Sequence, residues 1–150
     1  MIPEFQHLTE SERQLMYDAI PLITVLIASA DGHIDPKETE WAEKVTEIRG
    51  YSYDDLLMDY YKNVGTHYQE RLDHFMHAFP QETQERTRQI SEEISKMNAI
   101  FPKLDEIFAH HLYKSFVSFA RHVAEASGGF LRFGNISKAE RDLIDLPMLD

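Results

Sequence analysis

Ile27-Ala28-Ser29-Ala30-Asp31-Gly32-His33-Ile34-Asp35-Pro36-Lys37-Glu38 closes one helix and opens the next. Upstream, Leu15, Met16, Ala19, Leu22, Ile23, Leu26 and Ile27 recur at three- and four-residue steps, the spacing of a single helix face. Val25 and Ala28 widen that stripe, which places residues 22–28 at the centre of a core. Asp31-Gly32 ends the helix, with the glycine suited to a left-handed position just past the last turn. Downstream, Asp35 is an N-cap, Pro36 the first helical residue, and Glu38 the carboxylate that closes a capping box. Three carboxylates, Asp31, Asp35 and Glu38, thus fall within one short helix–turn–helix joint.

Working outward, Thr9-Glu10-Ser11-Glu12 is a capping box that starts the first helix. Pro21 either kinks that helix or lies in the first turn of a second one capped by Asp18. After the joint, Trp41, Val45 and Ile48 form a narrow apolar edge that ends at Gly50. Ser52-Tyr53-Asp54-Asp55 opens a helix striped by Leu56, Leu57, Tyr60, Tyr61 and Val64. Gly65, followed by Thr66-His67-Tyr68-Gln69, predicts a break and a fresh capping box. The next helix carries Leu72, Phe75, Met76 and Phe79 and stops at Pro80. Residues 81 to about 98 are polar apart from Ile90, Ile94 and Met97, the pattern of a solvent-facing helix. Pro102 opens the longest helix, roughly 102–127, lined by Leu104, Ile107, Phe108, Leu112, Phe116, Phe119, Ala120 and Val123. Gly128-Gly129 ends it, and Ser137-Lys138-Ala139-Glu140 caps a short last helix that stops before Pro147. No stretch alternates polar and apolar residues over strand length. The expectation is an all-α fold of about seven helices in a single domain, 1–150.

The joint recurs. Ile27-Ala28-Ser29-Ala30-Asp31-Gly32 aligns with Val123-Ala124-Glu125-Ala126-Ser127-Gly128, and Ile34-Asp35-Pro36-Lys37-Glu38 with Ile136-Ser137-Lys138-Ala139-Glu140. The second copy has a longer loop. Two similar halves, roughly 9–79 and 81–147, related by a pseudo-two-fold, are the expected architecture.

The net charge of −11, from 26 acids against 15 bases, disfavours phosphate backbones and anionic lipid, so no nucleic-acid partner is expected. The chain has no cysteine, which excludes disulfides, thiolate metal sites and cysteine nucleophiles and fits a reducing cytoplasm. The first residues lack a basic region followed by an apolar run, so no signal peptide is expected. The longest apolar stretch, 19–30, is too short to cross a bilayer, so no membrane insertion is expected.

The joint also invites comparison with a calcium loop, whose sixth residue is glycine and whose twelfth is a bidentate glutamate. In that register Asp31 is fifth and Asp35 ninth, but Ile27 falls first and cannot ligate, so only half a loop is present. Asp31, Asp35 and Glu38 remain a candidate carboxylate cluster for a hard divalent cation. Asp35 and Glu38 are equally explained as caps, whereas Asp31, at a helix C-terminus, opposes the dipole and has no capping duty. His74 and His77 share a helix face, but neither belongs to a Glu-x-x-His, whose single occurrence is Glu4 to His7 where a di-iron bundle needs two, and His110 and His111, being adjacent, point apart. Tyr51, Tyr53, Tyr60, Tyr61 and Tyr68 are assigned to packing. No nucleophile elbow, phosphate loop or His-Glu-x-x-His motif is present, and no catalytic residue is assigned.

The run from Ala28 to Glu38 after an apolar helix, together with 123–129 and 136–140, resembles the tellurite-resistance TerB-like family, in similar order over roughly 12–145. The resemblance implies an internally duplicated, all-helical cytoplasmic domain associated with tellurite and other chemical stress, and the lack of a visible nucleophile–base arrangement makes a non-enzymatic role the expectation. It also implies divalent-cation binding, of calcium, manganese or magnesium type, through acidic residues, and protein partners that include membrane-associated metal-transport-like proteins. The matching acids are Asp31, Asp35 and Glu38 in the first half and Glu140 in the second. Ser127 and Ser137 depart from the pattern by standing where an acid would strengthen a site. The alternative reading keeps the fold and makes the chain a metal-free protein–protein interaction module, with the carboxylates acting only as caps.

Overall fold

The computed structural model describes residues 1–126 and 138–150. Its six α-helices are α1 (Glu10–Ala28), α2 (Pro36–Arg49), α3 (Met58–Ala78), α4 (Thr83–Ser95), α5 (Glu106–Ala126) and α6 (Lys138–Leu143), with short 3-10 turns before α1 and between α4 and α5. No strand occurs among the described residues, so the all-α expectation holds, with six helices rather than seven. The expected Gly128-Gly129 stop and the caps at Ser127 and Ser137 lie outside the described residues.

Helix α1 starts as its sequence dictates. Thr9 Oγ1 accepts from Glu12 N at 3.2 Å, and Glu12 Oε1 accepts from Thr9 N at 2.9 Å, which completes the capping box. Pro21 neither ends nor divides the helix. A proline in a helix interior forfeits one backbone bond. Here every residue from 18 to 30 is buried, so neighbours on all sides hold the backbone in place. Thr24 satisfies its buried hydroxyl by donating to the Ile20 carbonyl at 2.8 Å, and Ser29 donates likewise to Val25.

Helix α3 likewise runs through Gly65 without the expected break. A helical glycine costs only about 1 kcal/mol relative to alanine. Buried Tyr60, Tyr61 and Val64 before it, and Tyr68, Leu72 and Phe75 after it, anchor both flanks. The helix also starts later than expected, at Met58, because Asp54 Oδ1 accepts from Leu56 N at 2.9 Å and folds residues 54–57 into a turn. Pro102 sits in a 3-10 turn, and Asp105 Oδ2 caps α5 by accepting from Phe108 N at 3.0 Å.

The apolar side chains form one contiguous core. Helix α1 packs against α3 and α5, α2 packs against the same two helices, and α4 lies along α1. The buried face of α2 is Glu38, Ala42, Val45, Thr46 and Arg49. Trp41, expected on the apolar edge, is 42% exposed, and Leu56 and Ile107 also face outward. The face is rotated because Arg49 is drawn inward. Its guanidinium donates to Tyr61 Oη (2.9 Å), the Ser115 carbonyl (2.9 Å) and Ser118 Oγ (2.8 Å), and lies 4.2 Å from the Tyr53 ring centroid. Tyr60, Tyr61 and Tyr68 are core residues as expected, whereas Tyr51 and Tyr53 are exposed. No helix among the described residues is long and apolar enough to cross a membrane.

Candidate functional site

The α1–α2 joint is built from backbone bonds. Gly32 N donates to the Ser29 carbonyl at 3.0 Å, and Gly32 adopts φ +92°, a conformation that favours glycine. A Cβ at Gly32 would lie 3.1 Å from Thr83 Oγ1, so the first residue of α4 is seated directly on the turn. Asp31 Oδ1 accepts from His33 N at 3.0 Å, an Asx turn that gives this aspartate a structural duty the sequence reading had not assigned. Asp35 Oδ1 accepts from Lys37 N at 2.8 Å as the N-cap of α2. One turn into α4, the buried Arg86 donates to the Ser29 and Gln81 carbonyls at 3.4 Å, while its Nε has no hydrogen-bond partner.

Glu38 does not close the expected capping box. Its carboxyl turns inward and hydrogen-bonds the carboxyl of Glu140. These two glutamates occupy the same place, the third residue, in α2 and α6. Both are buried, at 3% and 4% exposure. Two carboxyls can hydrogen-bond only if one keeps a proton. Burial pushes the Glu38 carboxyl up to about 10, and the hydrogen bond with Glu140 and the negative charges of Glu140, Asp35 and Asp31 push the same way. Glu38 Oε2 is buried and has no hydrogen-bond partner.

The structure therefore brings Glu38 and Glu140 into contact. Asp31 and Asp35 are near enough to be felt electrostatically, each with one oxygen committed to a backbone N–H. Among the described residues, no group of three or more His, Asp or Glu side chains is placed to hold a metal ion as it stands. The chemistry on offer is a pair of convergent hard oxygen donors from two helix N-termini, with two further carboxylates at the rim. Sequence reasoning read Glu38 both as a capping-box carboxylate and as a candidate ligand, and missed its inward orientation. The signal was its spacing from Ala42 and Val45, which puts it on the buried stripe of α2.

Two of the histidines from the pairs noted in the sequence are engaged elsewhere. His77 Nδ1 lies 2.8 Å from the Asp73 carbonyl on its own helix, and His111 Nδ1 lies 2.6 Å from Asp54 Oδ2, pinning the α2–α3 loop to α5. Comparisons with family models, with curated proteins and with solved structures find no match to this chain.

Proposed function

We propose that this chain is a non-enzymatic TerB-like domain, internally duplicated, that holds a divalent cation between Glu38 and Glu140 and acts in a cytoplasmic response to tellurite or related chemical stress. One observation carries the reading. Equivalent glutamates of the two repeated motifs meet, buried and carboxyl to carboxyl, with Glu38 Oε2 unpartnered. A dication would take the place of the shared proton and relieve the repulsion that proton now screens. Magnesium, manganese or calcium suits two carboxylates supplemented by water. Asp31 and Asp35, each with a second oxygen, would complete the shell. Protein partners, among them membrane-associated metal-transport-like proteins, would then read the cation-loaded state.

A metal-free interaction module is favoured by a separate observation, the commitment of Asp31 and Asp35 to backbone N–H groups. Calorimetric titration of chelator-treated protein with magnesium, manganese and calcium at pH 7.5 separates the two readings. The proposal expects saturable binding with a Kd at or below about 1 mM, the weak end of protein calcium sites. It also expects loss of that binding in Glu38→Gln and in Glu140→Gln, and weakening in Asp31→Ala. Absence of saturable binding, or binding that persists in Glu38→Gln, would overturn the cation site and leave the metal-free module.

A further inference from the structure

Residues 138–150 are held to the rest of the fold by a small set of contacts. Their helix, α6, has six residues. An isolated helix in water is marginal even at roughly 12–15 residues, so α6 depends on what it packs against. It lies on α1. Beyond it, Leu146 N donates to the Leu143 carbonyl at 2.8 Å and Leu149 N to the Leu146 carbonyl at 2.9 Å. These two turns place Ile144, Leu146 and Leu149 in the core. Asn98, on the 3-10 turn Lys96–Ala99, grips the segment with both ends of its amide. Its Nδ2 donates to the Met148 carbonyl at 2.9 Å, and its Oδ1 accepts from Asp150 N at 3.0 Å.

Two features oppose this docking. Leu146 is fully buried at φ +48°. For a bulky side chain that conformation is an outlier, and a residue before a proline, here Pro147, is ordinarily extended. Such backbone persists only where the surroundings impose it, and it gathers at switch regions. The second feature is the Glu38–Glu140 contact, which joins α2 to α6 through two buried carboxyls and leaves Glu38 Oε2 unsatisfied. Undocking α6 would relax Leu146 and return both carboxyls to water. It would leave α1 and α2 still packed against α3 and α5.

We infer that residues 138–150 form a releasable strap, and that a divalent cation held between Glu38 and Glu140 latches it shut. The inference rests on the proposed cation site and names how loading is signalled. The cation needs a glutamate from α2 and one from α6, so it binds the docked strap and not the released one. Linkage sets the size of the effect. The ratio of docked to released strap rises by 1 + [cation]/Kd, about tenfold at ten times Kd.

The test is hydrogen exchange read by mass spectrometry on the full chain at pH 7.5. It compares chelator with calcium, manganese or magnesium at about ten times the Kd that calorimetry gives. In chelator, amides within 141–150 are expected to exchange faster than those of α1 and to respond little to low urea, the mark of local opening. The cation is expected to slow them about tenfold in wild type and not in Glu38→Gln. Asn98→Ala, which keeps both glutamates, is expected to speed them severalfold in chelator. Exchange of 141–150 only together with α1, in a urea-dependent step, would overturn the strap, as would unchanged exchange in Asn98→Ala. A cation that binds by calorimetry yet leaves 141–150 unslowed would overturn the latch and keep the cation site. Absence of calorimetric binding would overturn both.

Discussion

Replacing Glu38 by glutamine removes one proton site from the buried carboxyl pair and keeps its shape, since the amide donates to the Glu140 carboxylate as the protonated carboxyl does. The ordinary glutamate value is 4.5, and in the fold Glu38 rises to about 10, chiefly through burial. In the window between these values the folded chain holds a proton that the unfolded chain has released. The stability this proton confers is complete below about pH 4.5 and is lost progressively as pH rises towards 10. One whole proton corresponds to about 1.4 kcal/mol per pH unit, so two units from pH 5 to pH 7 cost at most about 2.7 kcal/mol. For a chain of this size each kcal/mol moves Tm by about 2–4 °C. Thermal melts in chelator at constant ionic strength should show wild type losing up to about 5–11 °C more than Glu38→Gln over that interval. The variant should become the more stable protein at the alkaline end. A saturating divalent cation should flatten the wild-type curve if it replaces the proton. Parallel Tm–pH curves for wild type and Glu38→Gln would refute the shared-proton account.

Two further predictions concern glycines. Gly65→Ala should stabilise the protein by about 0.5–1 kcal/mol, because the site is mid-helix and the nearest atom to a new Cβ is Thr46 Cγ2 at 4.0 Å. A rise in Tm of a few degrees by calorimetry is the expected result, and a fall would contradict the unbroken α3. Gly32→Ala should destabilise by about 1–2 kcal/mol, since φ +92° is strained for any side chain and the Cβ would crowd Thr83 Oγ1 at 3.1 Å. Chemical denaturation measures the loss, and an unchanged midpoint would mean that the joint does not need its glycine.

Much of the architecture was legible locally. The Thr9–Glu12 capping box, the Asp35 cap, Pro36 at a helix start and the apolar stripes of α1 and α5 all depend on residues within a turn or two of each other. Where the structure departs from that reading, a non-local contact has outweighed a local preference. Gly65 and Pro21 were read as points where a helix breaks or kinks because their backbone chemistry weakens helices, yet burial on either side offsets about 1 kcal/mol for the glycine and about 3 kcal/mol for the proline, and both helices run on. Trp41 was placed on an apolar edge with Val45 and Ile48 by helical spacing. The α2 face that is buried instead carries Arg49, whose donors find neutral oxygens on α3 and α5 that no local pattern announces.

The candidate site divides the same way. Sequence alone determined that two similar helix starts carry acids at matching places, Glu38 and Glu140, because the N-terminal signature of a helix is a short-range matter of caps and charge. It could not determine where those side chains point. A glutamate at the third helical position serves equally as a cap in water or as an inward donor, and the choice is made by what packs over it. Only the approach of α6 decided it. With the two helix ends brought together and closed off from water, the carboxyls are left to share a proton and to leave Glu38 Oε2 unsatisfied.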